Sequence, residues 1–299
     1  MNNIKKIDIH AHAVLDNKVY PKYLSGDSFV TPEELLAEYE KIGVEKACLL
    51  PLASPEAMPG PISTETCKLI ADKYPDKFYW FCNVDPRAGG NSEKFDLAYL
   101  INFYKELGAK GIGEVTANLY ADDPMVDNLF RAAAQCDMPV TIHLATCKGG
   151  TYGIIDDIGL PRIEKLLKKY PDLKLVGHSP AFWSEISADL TEADRSGYPS
   201  SSVKEGRLSQ LMRECPNLYC DLSAGSGANA LMRDPEFAVK FLNEFSDRIM
   251  YACDICIKGP DFPVKLDLFF DKLLEEKAIS METYTKIMRE NAIRTYNLG

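Results

Sequence analysis

Eight short apolar runs recur along the chain at intervals of roughly 30 to 45 residues, each followed by a polar loop and an amphipathic stretch of helical period. Parallel strands need a long crossover, usually a helix, so this alternation prescribes a parallel α/β fold. Its simplest closed form is the (β/α)8 TIM barrel, which takes about 250 residues or more. The chain has 299 residues, 46% of them hydrophobic, and no linker or low-complexity tract divides residues 1–299. One domain with extra C-terminal helices is expected. An open doubly wound sheet is the alternative, but no G-x-G-x-x-G or G-x-x-x-x-G-K-[ST] opens any helix, so its usual nucleotide-binding rationale is missing.

The strands are expected to end at His12, Leu50, Val84, Val115, His143, His178, Leu222 and, for the eighth (249–253), just before Asp254. The intervening helices are expected over 31–43, 63–74, 92–107, 124–136, 160–169, 203–215 and 235–245, with two more at 264–276 and 281–296. Local chemistry marks several ends. Thr31-Pro32-Glu33-Glu34 supplies an N-cap, a first-turn proline and a capping-box glutamate, Gly43 stops that helix, and Asp123 caps the one that follows the fourth strand. A Pro/Gly-rich loop occupies 51–61, and a glycine-rich loop follows His143 from Thr146 to Gly153.

Only four histidines occur, and all stand at strand ends: His10 and His12 in Ile7-Asp8-Ile9-His10-Ala11-His12, then His143 and His178. Side chains alternate along a strand, so His10 and His12 point to one face, with Asp8 on that face too. In a barrel, residues ending the strands converge at the C-terminal face whatever their separation in sequence. That face collects His10, His12, Glu114, His143, His178, Asp221 and Asp254. Imidazoles with a carboxylate are the ligands zinc prefers when it keeps a position open for water, and the same set accepts manganese, iron or cobalt. Such an ion would activate water and polarise a carbonyl oxygen, with a neighbouring carboxylate taking the proton.

Composition narrows the partners. A net charge of −10 without a Lys/Arg block argues against nucleic acid, and no 18-residue apolar span suggests a membrane. The nine cysteines are scattered through strands and helices and are read as reduced, mostly buried thiols. Cys253-Asp-Ile-Cys256 has redox spacing without the thioredoxin-like context, so packing thiols are the better reading. The N-terminus moves straight into the first strand without a signal-like core, and a cytoplasmic protein is expected; a homo-oligomer remains open.

The H-x-H at the end of the first strand, the single histidines ending the fifth and sixth and the aspartate ending the eighth resemble the amidohydrolase superfamily of metal-dependent barrels. Asn291-Ala292-Ile-Arg294 in the final helix and Asp85-Pro86-Arg87 after the third strand resemble its aminocarboxymuconate-semialdehyde decarboxylase-like branch. The resemblance covers essentially the whole chain. It implies one divalent ion, zinc first and manganese second, held by His10, His12, His143 and Asp254. Asp254 would double as the proton-transfer group, and His178 would touch the substrate or the reacting water. Asp261, in Asp261-Phe262-Pro263, competes for the family aspartate; Asp254 is preferred because it directly ends an apolar run. Glu114 is a further candidate that could ligate the ion, bind a second one or orient a histidine, whereas Lys110 lies too early on its strand to reach the top face.

Three functions follow from this constellation. The first is a metal-dependent hydrolase of a small carbonyl-containing molecule, with Asp254 as base. The second is a non-oxidative decarboxylase using the same ion, and the third, favoured least, is a metal-binding protein without catalysis. A decarboxylase needs a cation for the departing carboxylate, for which Arg87 and Lys148 are the candidates, and Trp183 is a candidate pocket wall. Asp221 is divided evenly between a site residue and a loop cap.

Overall fold

The computed structural model describes residues 4–57 and 62–299, so the end of the loop expected over 51–61 lies outside the described residues. Among the described residues nine parallel strands form: β1 Lys6–Ala11, β2 Val44–Leu49, β3 Phe78–Trp80, β4 Ile112–Val115, β5 Val140–Ala145, β6 Ile154–Ile155, β7 Leu175–His178, β8 Leu218–Asp221 and β9 Ile249–Met250. They hydrogen-bond in the orders β1-β2-β3 and β4-β5-β7-β8-β9. The two sheets are staves of one barrel. Bridges join Cys82 to Ile112 and Ala11 to Ile255, and the seam between first and last strands carries Ile9 N to Tyr251 O (3.3 Å) and Asp254 N to His10 O (2.8 Å). β6 is an addition that pairs with β5, which therefore runs past His143 to Ala145.

The capping chemistry forms as expected. Thr31 and Glu34 make a reciprocal capping box with Pro32 in the first turn, Gly43 closes the helix in the left-handed region (φ 69°), and Asp123 accepts from Met125 N. Other boundaries shift. The helix expected over 92–107 spans Leu97–Glu106, since Asp96 is the cap, and the one expected from 203 begins at Arg207. Two helices, Pro180–Ser184 and Ala224–Met232, follow the strands that deliver His178 and Asp221. Both escape sequence reading: one is barely a turn long, and the other carries Gly225 and Gly227, poor helix formers. Gly227 is required by packing, because a Cβ there would lie 2.5 Å from Leu222 O.

The final stretch, helical from Met281 to Tyr296 with a π-type turn at Lys286–Glu290, closes the barrel's N-terminal end. Lys110 and Lys174, at the starts of β4 and β7, donate to the carbonyls of Asn297 and Thr295. Ala292, Tyr296 and Leu298 join Ile7, Ile9, Leu50, Phe81 and Met250 in a buried apolar floor. That floor explains a departure from simple alternation. The β1–β2 register shifts between Asp8 and Ala11, and such a bulge re-aims the side chains beyond it. Asp8 therefore does not share the face of His10 and His12. Its buried carboxyl accepts from Tyr39 Oη on the outer helix (2.6 Å) and from the backbone of His10 and Cys253 (2.9 Å each).

Candidate metal centre and substrate cavity

Above this floor the strand ends bring together four electron-pair donors. His10 Nε2 and His12 Nε2 stand 3.1 Å apart. Glu114 Oε2 lies 3.5 and 3.4 Å from them, and Asp254 Oδ1 lies 3.8 and 3.5 Å from them. The opposite nitrogens settle the tautomers. His12 Nδ1 is 2.8 Å from the carbonyl oxygen of Leu50, which can only accept, so that nitrogen carries the proton. His10 Nδ1 is 2.7 Å from Asp221 Oδ2. Burial resists ionisation of Asp221, but the adjacent His10 outweighs it and keeps the carboxyl below its ordinary value, so His10 donates. Two imidazole nitrogens and two carboxyl oxygens thus face one point; burial disfavours a charge on His10, but Asp221 and Asp254 outweigh it and hold that imidazole well above its ordinary value, so the cluster retains a proton that a metal ion would displace. Four donors around one divalent ion at about 2.0–2.2 Å stand about 3.3–3.6 Å apart in a tetrahedron, close to the observed spacings. The residues fit a metal.

Among the described residues, the two groups of side chains at ligand spacing are His10, His12 and Asp254, and His10, Glu114 and His178. His143, expected as a ligand, is in neither. Its Nδ1 binds Glu114 Oε1 at 2.7 Å and its ring lies against Tyr152, centroids 4.4 Å apart. Glu114 therefore faces the cluster with one oxygen and holds His143 with the other. Burial works against its charge, yet contacts to His10, His12 and His143 keep its carboxyl well below the ordinary range.

His178 Nδ1 and Ser223 Oγ are hydrogen-bonded at 2.7 Å, while its Nε2 is 3.8 Å from Glu114 Oε1 and 3.9 Å from Asp254 Oδ2. Burial, then the neighbouring His10, push this imidazole down to about 3, so it is neutral. Asp254 occupies the left-handed region (φ 53°), and Ser179 and Ala224, beside the other strand ends, also have positive φ. Such backbone costs about 1–3 kcal/mol per residue and concentrates where side chains must be aimed.

Two adjoining cavities open onto the cluster. One of about 450 Å³ is lined by His12, Tyr23, Leu52, Glu114, Tyr152 and Asp254 among others. The second, of about 310 Å³, includes His143, His178, Arg195, Tyr198 and again Tyr152 and Asp254. Several expected wall residues are elsewhere. Trp183 is 2% exposed, with its indole N–H on the Asp221 carbonyl (2.9 Å); it supports Asp221 from behind. The Arg87 guanidinium is already paired with Glu56 and Asp85 and lines neither cavity. Lys148 is exposed on its loop and also lines neither. Asp261 is exposed and paired with Lys265, which leaves Asp254 as the aspartate at the cluster. The Cys253 thiol donates to Tyr251 Oη, and all nine cysteines are free, only Cys147 being fully exposed. Ser223, Tyr152, Tyr198 and Arg195 carry no motif that would have singled them out. Ser223 alone had a positional signal, two residues beyond a strand-end aspartate.

A family model described as amidohydrolase matches residues 7–298. Among solved structures, the chain is similar to an uncharacterized TIM-barrel protein from Bordetella bronchiseptica, at 18% identity over 97% of this chain and 98% of that one, with a TM-score of 0.68. A dihydroxybenzoic acid decarboxylase from a Polaromonas species, with bound manganese and the inhibitor 2-nitroresorcinol, is 20% identical over 100% and 98% of the two chains, TM-score 0.63. A probable 2-pyrone-4,6-dicarboxylic acid hydrolase from Acinetobacter baumannii, with citric acid bound, is 11% identical over 98% and 100%, TM-score 0.59. At these identities the likeness carries the fold. No curated protein matches the sequence. Among the described residues, no helix is long and apolar enough to cross a membrane.

Proposed function

Because the chain belongs to the amidohydrolase family and is an enzyme of that family, we propose that it is a metal-dependent hydrolase of a small carbonyl-containing molecule. The observation that carries this reading is the convergence of two imidazole nitrogens and two carboxyl oxygens on one point beside a cavity. His10, His12, Glu114 and Asp254 would hold one divalent ion, zinc as the first choice and manganese as the second. When bound, such an ion lowers the pKa of water and polarises a substrate oxygen. The remaining work falls to side chains. Asp254 takes the proton from the attacking water and returns it to the leaving group. Asp221 keeps the His10 proton on Nδ1, and Ser223 fixes His178 so that its Nε2 meets the substrate.

Non-oxidative decarboxylation is the second reading. The manganese-containing decarboxylase relative favours it, as does Arg195 in the cavity wall, a buried cation suited to a carboxylate. In that reaction Asp254 delivers a proton to carbon as carbon dioxide leaves. One screen tests both readings: metal-loaded protein is offered esters, lactones and amides while acid release is followed, and aromatic and enol acids while carbon dioxide release is followed. Turnover in the first panel supports hydrolysis. Turnover confined to the second replaces it with decarboxylation, and metal-independent turnover in either refutes the role given to the cluster.

A further inference from the structure

The end of the barrel opposite the histidine cluster has a cavity of its own, of about 300 Å³, bounded by the starts of β4, β5 and β7 and by the last turn of the final helix. Its floor is apolar, with Ala109, Met138 and Pro139 buried. Its polar wall is basic. Lys105, Lys110, Lys174 and Arg294 line it against one carboxylate, the exposed Asp137, in a chain whose net charge is −10. Part of this clustering is structural. The Lys110 and Lys174 ammoniums donate to the carbonyls of Asn297 (3.1 Å) and Thr295 (3.4 Å) at the end of the final helix, and Lys105 donates to that of Cys136 at the end of the helix Pro124–Gln135. A helix C-terminus carries about half a negative charge, so cations are favourable there. Capping, however, uses one N–H of each ammonium and leaves two. The two helix ends and Asp137 together offer about two negative charges against four positive ones. Among the described residues no carboxylate pairs with any of the three lysines, and Arg294 comes no closer than 3.9 Å to Asp247. Lys110 and Lys174 are half-buried, so solvent screens this excess less than it would on an open surface.

We propose that this cavity is a binding site for a phosphate-bearing small molecule. Ammoniums arriving from three separate elements present point charges from three directions, which suits the tetrahedral oxygens of phosphate; a planar carboxylate is better matched by the fork of an arginine. A phosphate carries about −1.5 to −2 charges near neutral pH, which matches the excess in the wall. The apolar floor leaves room for a short organic body, whereas free phosphate would use the basic rim alone. Lys174 and His178 stand at opposite ends of β7, so the occupant is an effector or a stabilising ligand and not the substrate. The site therefore stands whatever reaction the metal centre performs.

The test is lysine footprinting of the metal-loaded protein: brief acylation with an N-hydroxysuccinimide ester, read residue by residue by mass spectrometry, in inorganic phosphate, in phenyl phosphate, in citrate and in sodium chloride of matched ionic strength. A ligand slows modification by the factor 1 + [L]/Kd, about tenfold at ten times the half-protecting concentration. Lys105, Lys110 and Lys174 should be protected to that extent by phosphate or phenyl phosphate relative to chloride, while the exposed Lys204 and Lys272 are unchanged. Equal protection by the two phosphates supports the site with the free ion as a sufficient ligand, and stronger protection by the ester supports it with a body on the apolar floor. Protection no greater than in chloride overturns the proposal, and equal protection by citrate overturns the assignment to phosphate. This comparison is made on the wild type, and anion binding at the metal centre would not protect these three lysines. In the Lys110→Gln/Lys174→Gln double variant, whose amides can still donate to the helix carbonyls, the phosphate concentration that protects Lys105 should rise at least about tenfold. An unchanged concentration overturns the proposal equally.

Discussion

Asp221→Asn changes one atom behind the cluster and should disturb the metal more than the fold. The wild-type carboxylate serves two N–H donors at once, His10 Nδ1 on Oδ2 and the Ser223 backbone on Oδ1, both at 2.7 Å. An amide has a single oxygen. If that oxygen serves His10, the amide NH2 faces the Ser223 N–H. If it serves Ser223, His10 must move its proton to Nε2, into the space where His12, Glu114 and Asp254 converge. Either way a buried donor loses its acceptor, at a cost of about 1–3 kcal/mol. Loss of the group that orients a metal-binding histidine weakens affinity about 10- to 100-fold, or about 1.4–2.7 kcal/mol. The two magnitudes agree because both price the same disrupted contact. Denaturant unfolding in excess chelator measures the first, and competition with a chelator for zinc or manganese measures the second. A variant that binds metal within about twofold of wild type would refute the tautomer argument and reduce the Asp221–His10 contact to packing.

Three further outcomes are expected. Replacing His178 by Asn should leave metal content nearly unchanged and cut turnover by about 10² to 10⁴, whereas replacing His12 should empty the site; equal metal loss in both variants would make His178 a ligand. Glu114→Gln should weaken metal binding more than His143→Gln does, and the reverse order would return His143 to the ligand set implied by the family resemblance. Glu185, raised by burial from 4.5 to about 7, stabilises the fold fully below pH 4.5 and loses that contribution as pH rises through about 7, up to about 3 kcal/mol. Glu185→Gln, which cannot ionise, should therefore gain stability relative to wild type between pH 5 and 8, and parallel unfolding curves across that range would contradict the sign.

The barrel is legible because its causes are local. Most strands announce themselves by short apolar runs, most helices by period and cap, and Thr31-Pro32-Glu33-Glu34 forms the capping box its residue types require. Even the site's address follows from locality: a histidine that ends a parallel strand must arrive at one face, and His10, His12, His143 and His178 all do. The helices Pro180–Ser184 and Ala224–Met232 are harder to foresee because tertiary contacts impose them. Phe182 settles where Gly177 leaves no Cβ in its way, and Gly227 lies on the backbone of Leu222. Propensity within those segments argues against the outcome, and packing overrides it.

Roles within the site depend on a different kind of information, namely which atom on a neighbouring strand takes the far side of each ring. His12 aims Nε2 at the cluster because Leu50 presents a carbonyl to Nδ1, and His10 does so because Asp221 presents a carboxylate. His143 has the same rank in sequence, but its Nδ1 finds Glu114, so the glutamate rather than the imidazole stands at ligand spacing. Charge is subject to the same rule. Arg87 looked like the cation for a substrate carboxylate, but Glu56 and Asp85 already occupy it, whereas Arg195, inside an acidic and Ser-rich segment with nothing to mark it, lines the smaller cavity. A chemical role is therefore set less by residue type than by what remains unsatisfied after the neighbours have paired. At the strand ends four donor atoms converge on one point beside a cavity, and together they ask for a cation. A metal ion meets that demand, so the chemistry proposed for the site is built from a shortage of partners that residue types alone do not display.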